Sequence, residues 1–109
     1  MHELAIAESV VDAVTRKLPG ARITQVHLEI GTLSGVVADS IRFCFDLATE
    51  GTGLEGATLE ITQPPAQCRC RACGTEFLPD WPIVLCPCGS ADVAVLGGEE
   101  LRILSVQVA

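Results

Sequence analysis

Apolar side chains fall along this chain in two periods, and the changes of period divide it. Leu4, Ala7, Val11, Val14 and Leu18 recur at spacings of three and four, with Glu8, Asp12 and Arg16 elsewhere on the wheel, which predicts an amphipathic helix on a core. Pro19-Gly20 ends it. In ARITQVHLEIG the period becomes two: Val26, Leu28 and Ile30 alternate with His27 and Glu29, a first strand closed by Gly31. Val37, Ile41, Cys44, Phe45 and Ala48 then line a second helical face, with Asp39 or Ser40 available as a cap and Gly51 and Gly53 as its end. Leu59 and Ile61 alternate with Glu60 and Thr62 in a second strand, which Pro64-Pro65 terminates because neither proline donates a ladder hydrogen bond.

Periodicity then lapses. Residues 66 to 90 hold five cysteines and the single tryptophan and could not bury enough apolar surface to fold alone. After Gly97-Gly98, the run ELRILSVQV alternates again, with Leu104, Val106 and Val108 expected on one face. The expected fold is α+β: a small three-stranded sheet with two helices, plus an inserted zinc-ribbon-like domain between the second and third strands. Residues 1–63 and 97–109 form the first unit in this reading, and 64–96 the second.

Composition narrows the chemistry. Fourteen acidic residues against seven basic ones give a formal charge of -7, and no run of lysine or arginine occurs. Nucleic-acid binders gain affinity from clustered cations that displace counterions, so that role is disfavoured. The uncharged stretches fall short of the roughly 18 apolar residues a membrane span needs, and no basic segment leads into an apolar one at the start. The expected location is cytoplasmic. No nucleophile with a base and no glycine-rich phosphate loop is evident, so an enzyme is not expected.

In that reducing setting, cysteines in close pairs suggest a metal before they suggest disulfides. In QCRCRACGTEFLPDWPIVLCPCGS, Cys70 and Cys73 form CxxC before a glycine, and Cys86 and Cys88 form CxC before another. Two residues between cysteines let one turn aim both sulfurs at one ion, and four thiolates close a tetrahedron with no place for water. A structural Zn(II) on Cys70, Cys73, Cys86 and Cys88 follows, with Cys68 in reserve because CxC is a residue short of the usual second turn. Iron in a rubredoxin-like electron carrier has the same geometry, and a zinc-ribbon interaction module is the other alternative. Cys44, on the apolar face of a helix, reads as a small buried hydrophobe.

The amino terminus offers a different ligand set. The α-amine of Met1, the amide joining it to His2 and the His2 imidazole reach one ion as fused chelate rings, the nitrogen-rich arrangement that Ni(II) or Cu(II) prefers. Glu3 adds an amide or a carboxylate, or serves as a first-turn acid on the helix dipole. His27 is a second candidate ligand, but its strand position suits a hydrogen-bonded residue equally well.

MHEL at the start, the CPCGS cluster, and the phrases HLEIGTLSGV, RFCFDLATEGT, LEGATLEI and GEELRILSVQV together resemble the HypA/HybF family of hydrogenase nickel-incorporation proteins, in order and over essentially the whole chain. The resemblance implies a nickel metallochaperone with His2 as the key Ni(II) ligand, Met1 and Glu3 beside it, and an inserted domain holding zinc structurally. It also implies delivery to the large subunit of NiFe hydrogenase with a HypB-type GTPase, some members serving urease maturation as well. One departure stands: the family has CxxC in both halves of the zinc site, whereas this chain has CxC at Cys86 and Cys88.

Overall fold

The computed structural model describes residues 2–80 and 83–109. Their order is α1 (Glu3–Lys17), β1 (Ile23–Ile30), α2 (Ala38–Thr49), β2 (Thr58–Thr62), β3 (Gln67–Cys70), β4 (Glu76–Phe77), β5 (Val93–Gly97) and β6 (Leu101–Val108). They build two sheets, β2-β1-β6 and β4-β3-β5.

In the first sheet β1 is central, parallel to β2 and antiparallel to β6. A parallel neighbour needs a crossover, and α2 supplies it. The two helices pack on one face of this sheet. Ala7, Val10, Val11 and Val14 of α1 and Ile41 and Phe45 of α2 meet Val26, Leu28, Ile30 and Leu59 in one buried cluster. Cys44 and Ala48 pack against it half-buried, as the helical period of α2 predicts. Polar residues of β1 fill the opposite face, where His27 Nε2 lies 2.5 Å from Thr62 Oγ1.

Several expectations shift by one position. Leu4 and Leu18 are largely exposed, and Val10 takes the core place they were expected to hold. α2 begins after Val37, whose side chain is exposed, and no side chain caps it, so neither Asp39 nor Ser40 performs that role. The third strand departs most. Ile103 and Val106 face the core, while Leu104 and Val108 are 44% and 51% exposed. The cause is a bulge: His27 pairs with Ser105 and the next residue, Leu28, with Ile103, so Leu104 is an extra residue that reverses the alternation. A second irregularity beside Thr24 turns Ile23 inward in the same way.

The second sheet is a ribbon inserted between β2 and β6, and the sequence pattern gave no sign of its strands. Two connections join it to the main sheet, and the loop after β1 ties them together. Thr32 N–H donates to Pro64 O at 3.2 Å, Leu33 N–H to Gly98 O at 2.6 Å and Gly31 N–H to Glu100 O at 2.7 Å. A side chain at Gly98 would meet the Ala66 Cα at 2.6 Å, and one at Gly31 would strike the Gly98 carbonyl. Bare backbone is required where these segments cross.

The bulge separates two neighbouring leucine-sized residues by environment. Ile103→Ala should cost about 2 kcal/mol of unfolding free energy and Leu104→Ala less than about 0.5 kcal/mol, read from urea titrations followed by circular dichroism. Equal losses would mean that strict alternation persists.

Candidate metal centres

The ribbon brings four cysteines to one point. Cys70 ends β3, and the turn after it is closed by Gly74 N–H donating to Cys70 O at 2.9 Å and Cys70 N–H donating to Thr75 O at 2.9 Å. That turn carries Cys73 back toward Cys70, where its N–H lies 3.5 Å from the Cys70 sulfur. The second pair repeats the device in less chain. Cys86 N–H donates to Ser90 O at 3.0 Å, Gly89 N–H to Cys86 O at 2.8 Å, and Cys88 N–H lies 3.5 Å from the Cys86 sulfur. Gly74 and Gly89 have φ of 78° and 94°, left-handed values that let each turn close directly after its cysteine. CxC therefore suffices here without an added residue, because the turn is completed downstream at Gly89.

The sulfurs of Cys70, Cys73, Cys86 and Cys88 all lie within 4.8 Å of one another. Cys73 to Cys86 is 3.5 Å and Cys70 to Cys88 is 3.7 Å. These are far from the roughly 2.05 Å of a disulfide, and all six cysteines are free thiols. They are close to the roughly 3.8 Å edge of a tetrahedron with Zn–S bonds of about 2.3 Å. The donor set and spacing fit a closed four-sulfur metal site. Cys68 stands two residues before Cys70 on the same strand, wholly buried, and is not among the four.

Proton affinities diverge within the cluster. Hydrogen bonds from Thr75, first its hydroxyl and then its backbone, lower the Cys73 thiol from 9.0 to about 6. Cys70 is lowered chiefly by the Cys73 N–H. For Cys86 the Cys88 N–H also acts downward, but burial and the neighbouring sulfurs outweigh it and push the thiol up to about 12. Four sulfurs so close cannot all carry charge without a cation among them.

At the start of α1, His2 is exposed and occupies the cap position, its side chain making no capping bond. Glu3 opens the helix as its first-turn acid, and its Oε2 is shielded from solvent with no hydrogen-bond partner among the described residues. Met1 lies outside the described residues. His27, in the middle of β1, is engaged with Thr62 and flanked across the ladders by Glu60 and Ser105, so it does not join His2. Thr75, which touches the Cys73 sulfur at 3.2 Å, is a neighbour of the cluster that cysteine spacing alone could not reveal.

Residues 1–108 match the model of the family described as HypA, hydrogenase/urease nickel incorporation, metallochaperone. The hydrogenase maturation factor HypA of Nostoc punctiforme is 48% identical over 108 residues, spanning 99% of this chain and 96% of the relative. That of Geotalea daltonii is 50% identical over 109 residues, spanning 99% of each. The solution structure of the Ni metallochaperone HypA from Helicobacter pylori superimposes with a TM-score of 0.65 at 24% identity, covering 99% of this chain and 97% of that one. A second solution structure of a HypA protein gives 0.67 at 24% identity, covering 100% and 97%. At that identity the two structures establish the fold.

Proposed function

The chain belongs to the HypA family of hydrogenase/urease nickel-incorporation metallochaperones, and from that premise we propose how its residues divide the work. It is a maturation factor for hydrogenase, not an enzyme, and nickel is its cargo. Ni(II) is taken at the amino terminus by the His2 imidazole with the α-amine and amide of Met1 and the adjoining Glu3. Zn(II) is held by Cys70, Cys73, Cys86 and Cys88 as a structural ion. Delivery takes place in the cytoplasm to the large subunit of NiFe hydrogenase, with a HypB-type GTPase, and urease maturation proteins form a second route.

The observation that carries the nickel assignment is the situation of His2. It is exposed, it precedes the first helical residue, and its side chain is not spent on a capping bond. An ion bound there is reached from solvent and from a partner, which ligand exchange requires. Glu3 Oε2 in the adjoining residue, shielded and without a hydrogen-bond partner among the described residues, supports a cation at this end of the helix. For zinc, the support is the sulfur spacing together with the N–H groups of Cys73 and Cys88 directed at sulfur, which stabilise thiolates around an ion. Among the described residues the ribbon buries few apolar side chains, and metal binding would provide the folding energy it lacks.

Nickel titration of protein with its native amino terminus should give one equivalent bound, lost in His2→Ala and in protein carrying extra residues before Met1. Equal binding by all three defeats the amino-terminal assignment. In metal analysis, Cys88→Ser should lose most of its zinc while Cys68→Ser keeps one equivalent. Amide exchange across β3 should accelerate by at least about a hundredfold on chelation, with the α1 and β1 amides unchanged.

A further inference from the structure

Neither metal site uses the outer edge of the main sheet. Among the described residues β6 pairs only with β1, so its other side presents a row of unpaired backbone groups. Natural edges are usually protected by lysine, proline or a bulge. β6 has no lysine and no proline, and its bulge at Leu104 lies downstream, leaving Leu101–Ile103 regular. Beside that segment a groove of about 440 Å³ runs under the flank of α1. Ala5, Ile6 and Ser9 form its helical wall, Leu101 and Ile103 its strand wall, and Leu28 belongs to its floor.

The lining restricts what can enter. It is aliphatic, and the one hydroxyl on the helical wall is spent, since Ser9 Oγ donates to Ala5 O at 2.9 Å. A small polar ligand would find no convergent donors or acceptors there. An added strand would find both requirements of sheet extension: a free ladder at Leu101–Ile103, and a cavity for the side chains that alternate toward the helix. The small residues Ala5 and Ser9, one turn apart, make that space. Charge sets the sign of the visitor. Arg102, the one cation among the described residues that line the groove, is ion-paired with Glu29, and Glu100 also acts on it. Glu99, which is exposed, and Glu100, whose carboxylate accepts from Gly98 N–H, directly precede Leu101, so the start of the edge carries two acidic residues beyond the one paired with Arg102.

We propose that the β6 edge and the groove beneath α1 dock an extended segment of a partner protein, aliphatic at alternate positions and basic at the end lying over Glu99 and Glu100. Ala5 is within one helical turn of His2, so a partner held there stands beside the amino terminus. That last consequence rests on the nickel assignment above, whereas the docking itself does not.

The probe is a synthetic peptide of alternating valine and threonine ending in two lysines, added to isotope-labelled, zinc-loaded, nickel-free protein and followed by amide NMR. Shift changes should cluster at Leu101–Ile103 and Ala5–Val10. A peptide ending in two glutamates, the lysine peptide N-methylated at alternate amides, and the Ser9→Phe variant should each bind at least about tenfold more weakly. The two altered peptides leave the protein untouched, so they decide the matter even where Ser9→Phe disturbs folding. His2→Ala should bind the lysine peptide as the unaltered chain does, separating this surface from the nickel site. Absence of binding, equal affinity for all three peptides, or shifts elsewhere would overturn the proposal. So would sedimentation showing that β6 already pairs with a second copy of the chain.

Discussion

β1 is paired on both sides, and that double pairing decides where everything else can lie. Its Glu29 stands opposite Thr62 across the parallel ladder and opposite Arg102 across the antiparallel one. The chain therefore leaves the sheet and returns to it at the same end, about 10 Å apart. Whatever is inserted between those points must begin and end together. The neck of Gly31, Ala66 and Gly98 closes that gap with backbone contacts too tight for side chains. Beyond it the ribbon is free to be specialised without altering the core of the main sheet, and its few well-buried residues show how it is held. Among the described residues Ala66, Cys68, Cys70 and Cys86 are the buried hydrophobic ones, and three of these four are cysteines.

This dependence on sulfur makes the ribbon's charge state structural. The same turns that aim Cys73 and Cys88 inward direct N–H groups at sulfur, and place the Cys73 sulfur 3.2 Å from the Thr75 hydroxyl. These bonds favour thiolate, while burial and crowding at Cys86 oppose it. The two tendencies conflict in metal-free protein, and a divalent cation at the centre removes the conflict by making every sulfur's negative charge favourable. Acidity, turn geometry and folding of the inserted unit are therefore one equilibrium.

The elements legible in the sequence were those whose signal is local. The periods of α1, β1, α2 and β2, the stops at Pro19-Gly20 and Pro64-Pro65, and the paired cysteines each report on a few neighbouring residues. The failures are non-local. Leu104 looked like a core residue because alternation was extended through it, and only pairing against His27 and Leu28 reveals the extra residue. β3, β4 and β5 left no periodic trace because the strands are short and only β3 has buried side chains, which are Cys68 and Cys70. Val10 was missed because a helix flanked by a second helix buries a wider arc than a single stripe. Within the cluster, spacing identified four sulfurs but not Thr75, whose role is set by a turn.

The two sites of the proposed assignment differ in the way their tasks would demand. A structural ion needs every ligand fixed by backbone and no open position, and the ribbon supplies four sulfurs from two closed turns. A cargo ion needs ligands that can be exchanged one at a time. On the amino-terminal assignment proposed above, the exposed His2 side chain, not spent on a capping bond, would meet that need. α1 fixes its place: Ile6 N–H donates to His2 O at 2.9 Å, so the residue that bears the imidazole is tied to the first turn of the helix. The core that positions it need not move when a cargo ion departs.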